Sequence, residues 1–234
     1  MYALDMLLHH PELLHPDHPY LAIGAPWAHP SNTGVTHMRI ASVLPRMAIG
    51  SVDKIATFFV NAQPVLGPTV GFISGLGQYV SGVPSSARQV NPDDDAAVKF
   101  EAEVHEKLFA RIHEDGLAGT SDEALLLMKR VDDGSVGWGT WGNFDTLLPQ
   151  LSGALRSVGR KLNIKVFFAQ KDFLIGNEGT AGPRWLEEVF QKETRAENAV
   201  ITYSSSVVKG TDHDTAWESR FGVPQIVFGD ISRR

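Results

Sequence analysis

At 234 residues, with 43% hydrophobic and 21% charged side chains, the chain is long enough for one α/β domain with an inserted helical segment and a buried core. Its 21 Lys and Arg against 27 Asp and Glu give a formal charge of -6 with no basic stripe, which excludes an electrostatic footprint for nucleic acid. No cysteine is present, so disulfides, thiolate metal sites and cysteine nucleophiles are excluded, and a reducing, cytoplasmic setting fits.

Residues 1–10 are strong helix formers with apolar side chains nearly all round (Met1, Ala3, Leu4, Met6, Leu7 and Leu8), which predicts a deeply buried helix stopped by Pro11. Asp5 interrupts this run and no basic residue precedes it, so it does not read as a secretory signal. After the turn at Pro16 and Pro19, residues 20–26 form a continuous apolar run bounded by prolines, as expected of a strand buried on both faces. Residues 164–169 and 199–203 repeat that pattern. Leu147, Leu148, Leu151, Leu155, Val158 and Leu162 predict a helix over 145–162, and a second helix over 183–194 starts at Pro183. Strands alternating with helices predict a parallel sheet with right-handed crossovers.

Residues 28–142 break this alternation and read as all-helical. A helix over 93–114 is capped by Asn91 and opened by Pro92, with Asp93, Asp94 and Asp95 suited to its dipole. Val98, Val104, Leu108 and Ile112 give it an apolar side. Thr120 to Glu123 read as a capping box for a helix over 124–130. The glycine-rich run 134–142 predicts a flexible return to the sheet. The uncharged stretch 55–84 is long enough to span a bilayer, yet Pro64, Pro68, Gly67, Gly71, Gly75 and Gly77 punctuate it, predicting interfacial helices and no membrane span.

Two strand ends carry the chemistry. Asp172 follows the run 164–169, at the edge of a parallel sheet where ligands gather. His213 follows the last strand within Gly210-Thr-Asp-His-Asp. An acid after one strand and a histidine after the next are the second and third members of a triad ordered Ser, acid, His. The plainer readings are a solvated polar turn around His213 and a turn or cap role for Asp172. Asp212 and Asp214 are adjacent alternatives for the acid, better suited to shaping the loop. His9, His10, His15 and His18 cluster, but Pro11, Pro16 and Pro19 make the path between them irregular, and no H-E-x-x-H accompanies them, so no metal is expected. The glycines of 134–142 lack a following Lys-Ser/Thr, Ser135 reads as loop, and no cofactor is implied.

Lys171-Asp172 followed by Gly176, then Gly210-Thr-Asp-His213-Asp-Thr, resembles the acid and histidine loops of the α/β-hydrolase superfamily. The resemblance is nearest to a branch of fungal hydrolases found beside natural-product pathways. It implies an incomplete hydrolase core at 1–27 and 143–234, a helical lid at 28–142 between the sixth and seventh strands, and a last helix over 217–228. It also implies cleavage of esters or related bonds in hydrophobic small molecules, with His213 as general base steered by Asp172. In such hydrolases the serine sits in G-x-S-x-G just before a helix much like Met1-Tyr-Ala-Leu-Asp5, so the resemblance places it ahead of Met1, together with the oxyanion-hole loop. No G-x-S-x-G occurs in the chain; Gly71-Phe-Ile-Ser74-Gly75 is one residue off register. The alternatives are an Asp–His dyad acting without serine, and a non-catalytic remnant or interaction protein. The first strand, left without its implied neighbour, would expose an apolar edge inviting self-association.

Overall fold

The computed structural model describes residues 1–50, 96–115, 118–130 and 139–232. In chain order the elements are α1 (Tyr2–His9), β1 (Tyr20–Gly24), α2 (Pro30–Thr33), α3 (Thr36–Val43), α4 (Arg46–Ile49), α5 (Ala96–Asp115), α6 (Ala118–Leu127), α7 (Phe144–Ser157), β2 (Leu162–Ala169), α8 (Ala181–Thr194), β3 (Ile201–Val208) and α9 (Val223–Ser232). They fall into two compact units, Met1–Thr36 with Gly137–Arg234, and His37–Val136.

The first unit is α/β. Its parallel sheet has the order β1-β2-β3, with Tyr20 opposite Asn163 at one end of the first pair and Gly24 opposite Phe167 at the other. The central strand is buried on both faces, which is why its sequence is nearly all apolar. Leu162, Ile164, Val166 and Phe168 pack into one cluster with Leu4 and Leu7 of α1, Leu147, Leu148, Leu151 and Leu155 of α7, and Leu186, Val189 and Phe190 of α8. Phe167 points the other way, into a smaller cluster with Val208 and with Val223 and Val227 of α9. Period-two alternation thus puts three helices on one face and α9 on the other. Lys165 shares the α9 face, and Asp230 offsets its charge at 2.9 Å while also accepting from the Tyr20 hydroxyl at 3.2 Å.

Helix α7 shows in its sequence the face it buries, whereas α1, apolar nearly all round, buries only Leu4 and Leu7 and leaves Met6 exposed. Five leucine and phenylalanine positions of α7 are buried on one side, and Pro149 sits on the exposed side of the same helix. There the missing N–H leaves the packed face undisturbed. The buried Ser152 hydroxyl donates to Glu193 at 3.0 Å, joining α7 to α8. On β3, Phe190 stacks on Tyr203 with centroids 4.9 Å apart, and burial raises the Tyr203 phenol to about 12.

Several expected boundaries move. The helix expected from Pro183 begins two residues earlier, so Pro183 is its third residue. The Thr120 box lies inside α6, because that helix already starts at Ala118. The last helix starts at Val223 instead of 217, after a 3-10 turn at Ser219–Phe221 closed by Gly222 at φ 77. β3 starts at Ile201, since the Ala199 N–H turns back to the Ala196 carbonyl, and it runs on through Ser204, Ser205 and Ser206.

The second unit is helical in its described residues. Met38, Ile49 and Leu125 are buried, and Arg130 donates to the Ser42 carbonyl at 2.8 Å. On α5, Val104 and Leu108 of the apolar side lie exposed. Residues 55–84, Asn91 to Asp95, Ser74 and Ser135 lie outside the described residues. Among the described residues no helix is long and apolar enough to cross a membrane.

Candidate active site

The site lies where β2 and β3 end. Parallel strands deliver both loops to one edge of the sheet, so residues 41 positions apart in sequence meet there. His213 Nδ1 is 2.8 Å from Asp172 Oδ2.

Asp172 is held from all sides. It is 2% exposed. Its Oδ1 accepts the Leu174 and Ile175 N–H groups at 2.9 and 3.0 Å, an Asx-type turn that fixes the carboxylate in the loop. Its own N–H donates to Asn177 Oδ1 at 3.1 Å, and its carbonyl accepts from the Gly176 N–H at 2.9 Å. Oδ1 is therefore engaged by backbone, and Oδ2 is the oxygen offered to His213.

The histidine loop is tied to the acid loop directly. The Lys171 N–H donates to the Thr211 carbonyl at 3.0 Å, and the Gly210 N–H donates to Gln170 Oε1 at 2.9 Å. Asp212 and Thr215 close the loop on itself: the Asp212 N–H reaches Thr215 Oγ1 at 2.9 Å, while Thr215 Oγ1 donates to Asp212 Oδ1 at 2.7 Å. Asp212 is thus a loop-shaping group, and Asp172 is the carboxylate that hydrogen-bonds the imidazole. The Phe173 ring stands edge-on to His213 with centroids 6.0 Å apart.

Because a carboxylate only accepts, the Nδ1 hydrogen of His213 is directed at Asp172, and neutral imidazole keeps its lone pair on Nε2. Burial is the largest influence on His213 and pulls its pKa down, but the Asp172 hydrogen bond and the charges of Asp172, Asp214 and Asp212 outweigh it, and the net shift is upward. A histidine whose folded pKa exceeds its unfolded value near about 6.5 adds stability that is fully present below that pH. The contribution is lost as pH rises through the folded pKa. We therefore expect urea midpoints of the native chain to fall from pH about 6 to pH about 8.5 more steeply than those of His213→Gln. Parallel profiles for the two proteins would show that His213 carries no such linkage.

The four N-terminal histidines have other partners. His9 bonds to the Asp5 carbonyl, His10 to Glu12, and His15 Nδ1 accepts the Asp17 and His18 N–H groups. Among the described residues, no group of three or more His, Asp or Glu is arranged to hold a metal ion. Sequence reasoning missed Asn177, which holds the Asp172 backbone, and two glycines against which the loops pack. Gly182 of α8 faces the Ile175 carbonyl, and Gly24 of β1 faces Trp217. A glycine inside a helix or closing a strand is a signal of close approach.

No family model, curated protein or solved structure matches the chain.

Proposed function

We propose that the chain carries the acid–histidine half of an α/β-hydrolase-type site, serving cleavage of esters or related bonds in hydrophobic small molecules. The observation that carries this reading is the 2.8 Å bond from His213 Nδ1 to a carboxylate whose other oxygen is engaged by two backbone N–H groups. That arrangement holds the imidazole in one tautomer with Nε2 basic, as a general base for a hydroxyl nucleophile requires. Nε2 takes the hydroxyl proton as oxygen attacks the carbonyl carbon, then returns it to the departing alkoxide, leaving an acyl-enzyme for water to hydrolyse. The chain holds no G-x-S-x-G, so the reading assigns the nucleophile and oxyanion donors to another segment.

Aryl esters of increasing acyl length test it. The chain alone should turn them over no faster than His213→Ala does. Adding in trans a strand–turn–helix segment carrying G-x-S-x-G should give turnover that His213→Ala abolishes. No recovery with such segments would overturn the reading. Turnover by the chain alone that depends on His213 would replace it with a dyad activating water directly.

A second reading, for a separate surface, rests on β1. Among the described residues this strand has no neighbour on its outer side, and all five of its residues are only half-buried. An edge strand offers its outer side to another strand, so we propose that the chain self-associates there.

A further inference from the structure

We infer that Trp217, seated on Gly24 at the C-terminal end of β1, is the positioning residue that fixes the His213 loop against the sheet. The inference rests on the reading above only in treating His213 as the working base. The geometry is close. A Cβ built on Gly24 would lie 2.0 Å from Trp217 Nε1, 2.4 Å from Cε2 and 2.6 Å from Cδ1, so the pyrrole edge of the indole occupies the space that any side chain at position 24 would need. The indole also lies against Phe167 of β2, the register partner of Gly24, with ring centroids 6.1 Å apart. Trp217 therefore spans the ends of the first two strands.

This contact supplies what the other anchors lack. The bonds from Gly210 to Gln170 and from Lys171 to Thr211 hold the beginning of the loop to the acid loop. The Asp212–Thr215 bonds shape its middle but tie it only to itself. His213 lies inside the Asp212–Thr215 turn, so a hold on the segment just after Thr215 limits how far that turn and its imidazole can swing. Trp217 extends that hold across to β1, and the Glu218 N–H to Thr215 carbonyl bond at 3.0 Å transmits it back toward His213. A stiff, planar side chain with two rotatable bonds suits the task. Trp217 acts through His213 and is not itself a catalytic residue.

The test reads the histidine directly and needs no turnover, so it stands apart from the fate of the hydrolase reading. In the native chain, proton NMR should show a downfield, slowly exchanging Nδ1 proton of His213, absent from His213→Gln. Folded Trp217→Ala and Gly24→Ala should each lose that resonance, and the His213 titration should move toward ordinary histidine. The double variant should match Trp217→Ala and be no worse, because removing the indole leaves room for the new methyl group. Should Gly24→Ala fail to fold, Trp217→Ala, which only removes atoms, decides the matter with the double variant as its partner. An unchanged Nδ1 proton and titration in folded Trp217→Ala would overturn the inference, as would a His213 titration that moves further in the double variant than in Trp217→Ala.

Discussion

Replacing Asp172 with alanine should destabilise the chain by about 2–5 kcal/mol, measured as a lower urea midpoint at unchanged slope. The size follows from what the carboxylate holds. Removing it leaves the Leu174 and Ile175 N–H groups without their acceptor in a site that is 2% exposed, and leaves His213 Nδ1 without a partner. Each orphaned buried donor costs about 1–3 kcal/mol. Asp172→Asn retains an Oδ1 that can accept both N–H groups and should cost less than half as much. With that oxygen on the backbone, its amide nitrogen faces the imidazole and donates to Nδ1, so the tautomer that leaves Nε2 basic is lost. Stability thus reads the turn, and His213-dependent chemistry reads the pair. A change below about 0.5 kcal/mol in Asp172→Ala would mean that the loop does not depend on this carboxylate.

The second large effect is expected at Gly182. Its missing Cβ would fall 1.9 Å from the Ile175 carbonyl oxygen and 3.2 Å from the Thr33 Cα, both backbone atoms with nowhere to rotate. Helix α8 must therefore retreat or the acid loop must move. Gly182→Ala should cost about 2–4 kcal/mol, overpacking that exceeds the helix-propensity gain of about 1 kcal/mol. Gly153 supplies the matched control. It lies within α7 with nothing within 4 Å of an added Cβ, so Gly153→Ala should stabilise by about 0.5–1 kcal/mol. Equal midpoints for the two variants would show that α8 does not bear on the acid loop. The loop's displacement should also weaken the Asp172–His213 bond, visible as the same NMR loss predicted for Trp217→Ala.

What the sequence made legible here is what local pattern encodes. Largely apolar runs mark β1 and β2 because both faces of β2 pack against helices, and Lys165 is accommodated only through its pairing with Asp230. β3 is harder to delimit. It is an edge strand with Ser204, Ser205 and Ser206 exposed, and its apolar run stops before its hydrogen bonding does. Asp172 and His213 were legible as a pair because parallel strands bring consecutive strand ends to one side. Their anchoring was not. Asn177 beneath the Asp172 backbone, the Ile175 carbonyl against Gly182 and the indole on Gly24 depend on atoms brought together by packing, and no spacing rule encodes them. The Thr120 box shows the converse: a correct local motif sat inside a helix that had already begun at Ala118.

The pairing of β1 with β2 has a further consequence in the statistics of the chain. β2, α8 and β3 are neighbours in sequence and form a compact βαβ unit, whereas β1 reaches β2 only by closing a loop from residue 25 to residue 161. Closure entropy grows with the logarithm of loop length, each doubling adding only about 0.6 kcal/mol. The segment 37–136 could lengthen or shorten with little closure cost to that pairing. Time is where the separation tells, because distant contacts require the closure before they return any contact energy. The βαβ unit that carries both Asp172 and His213 can assemble locally, while the first strand, with the glycine on which Trp217 rests, must wait for the slowest search in the molecule.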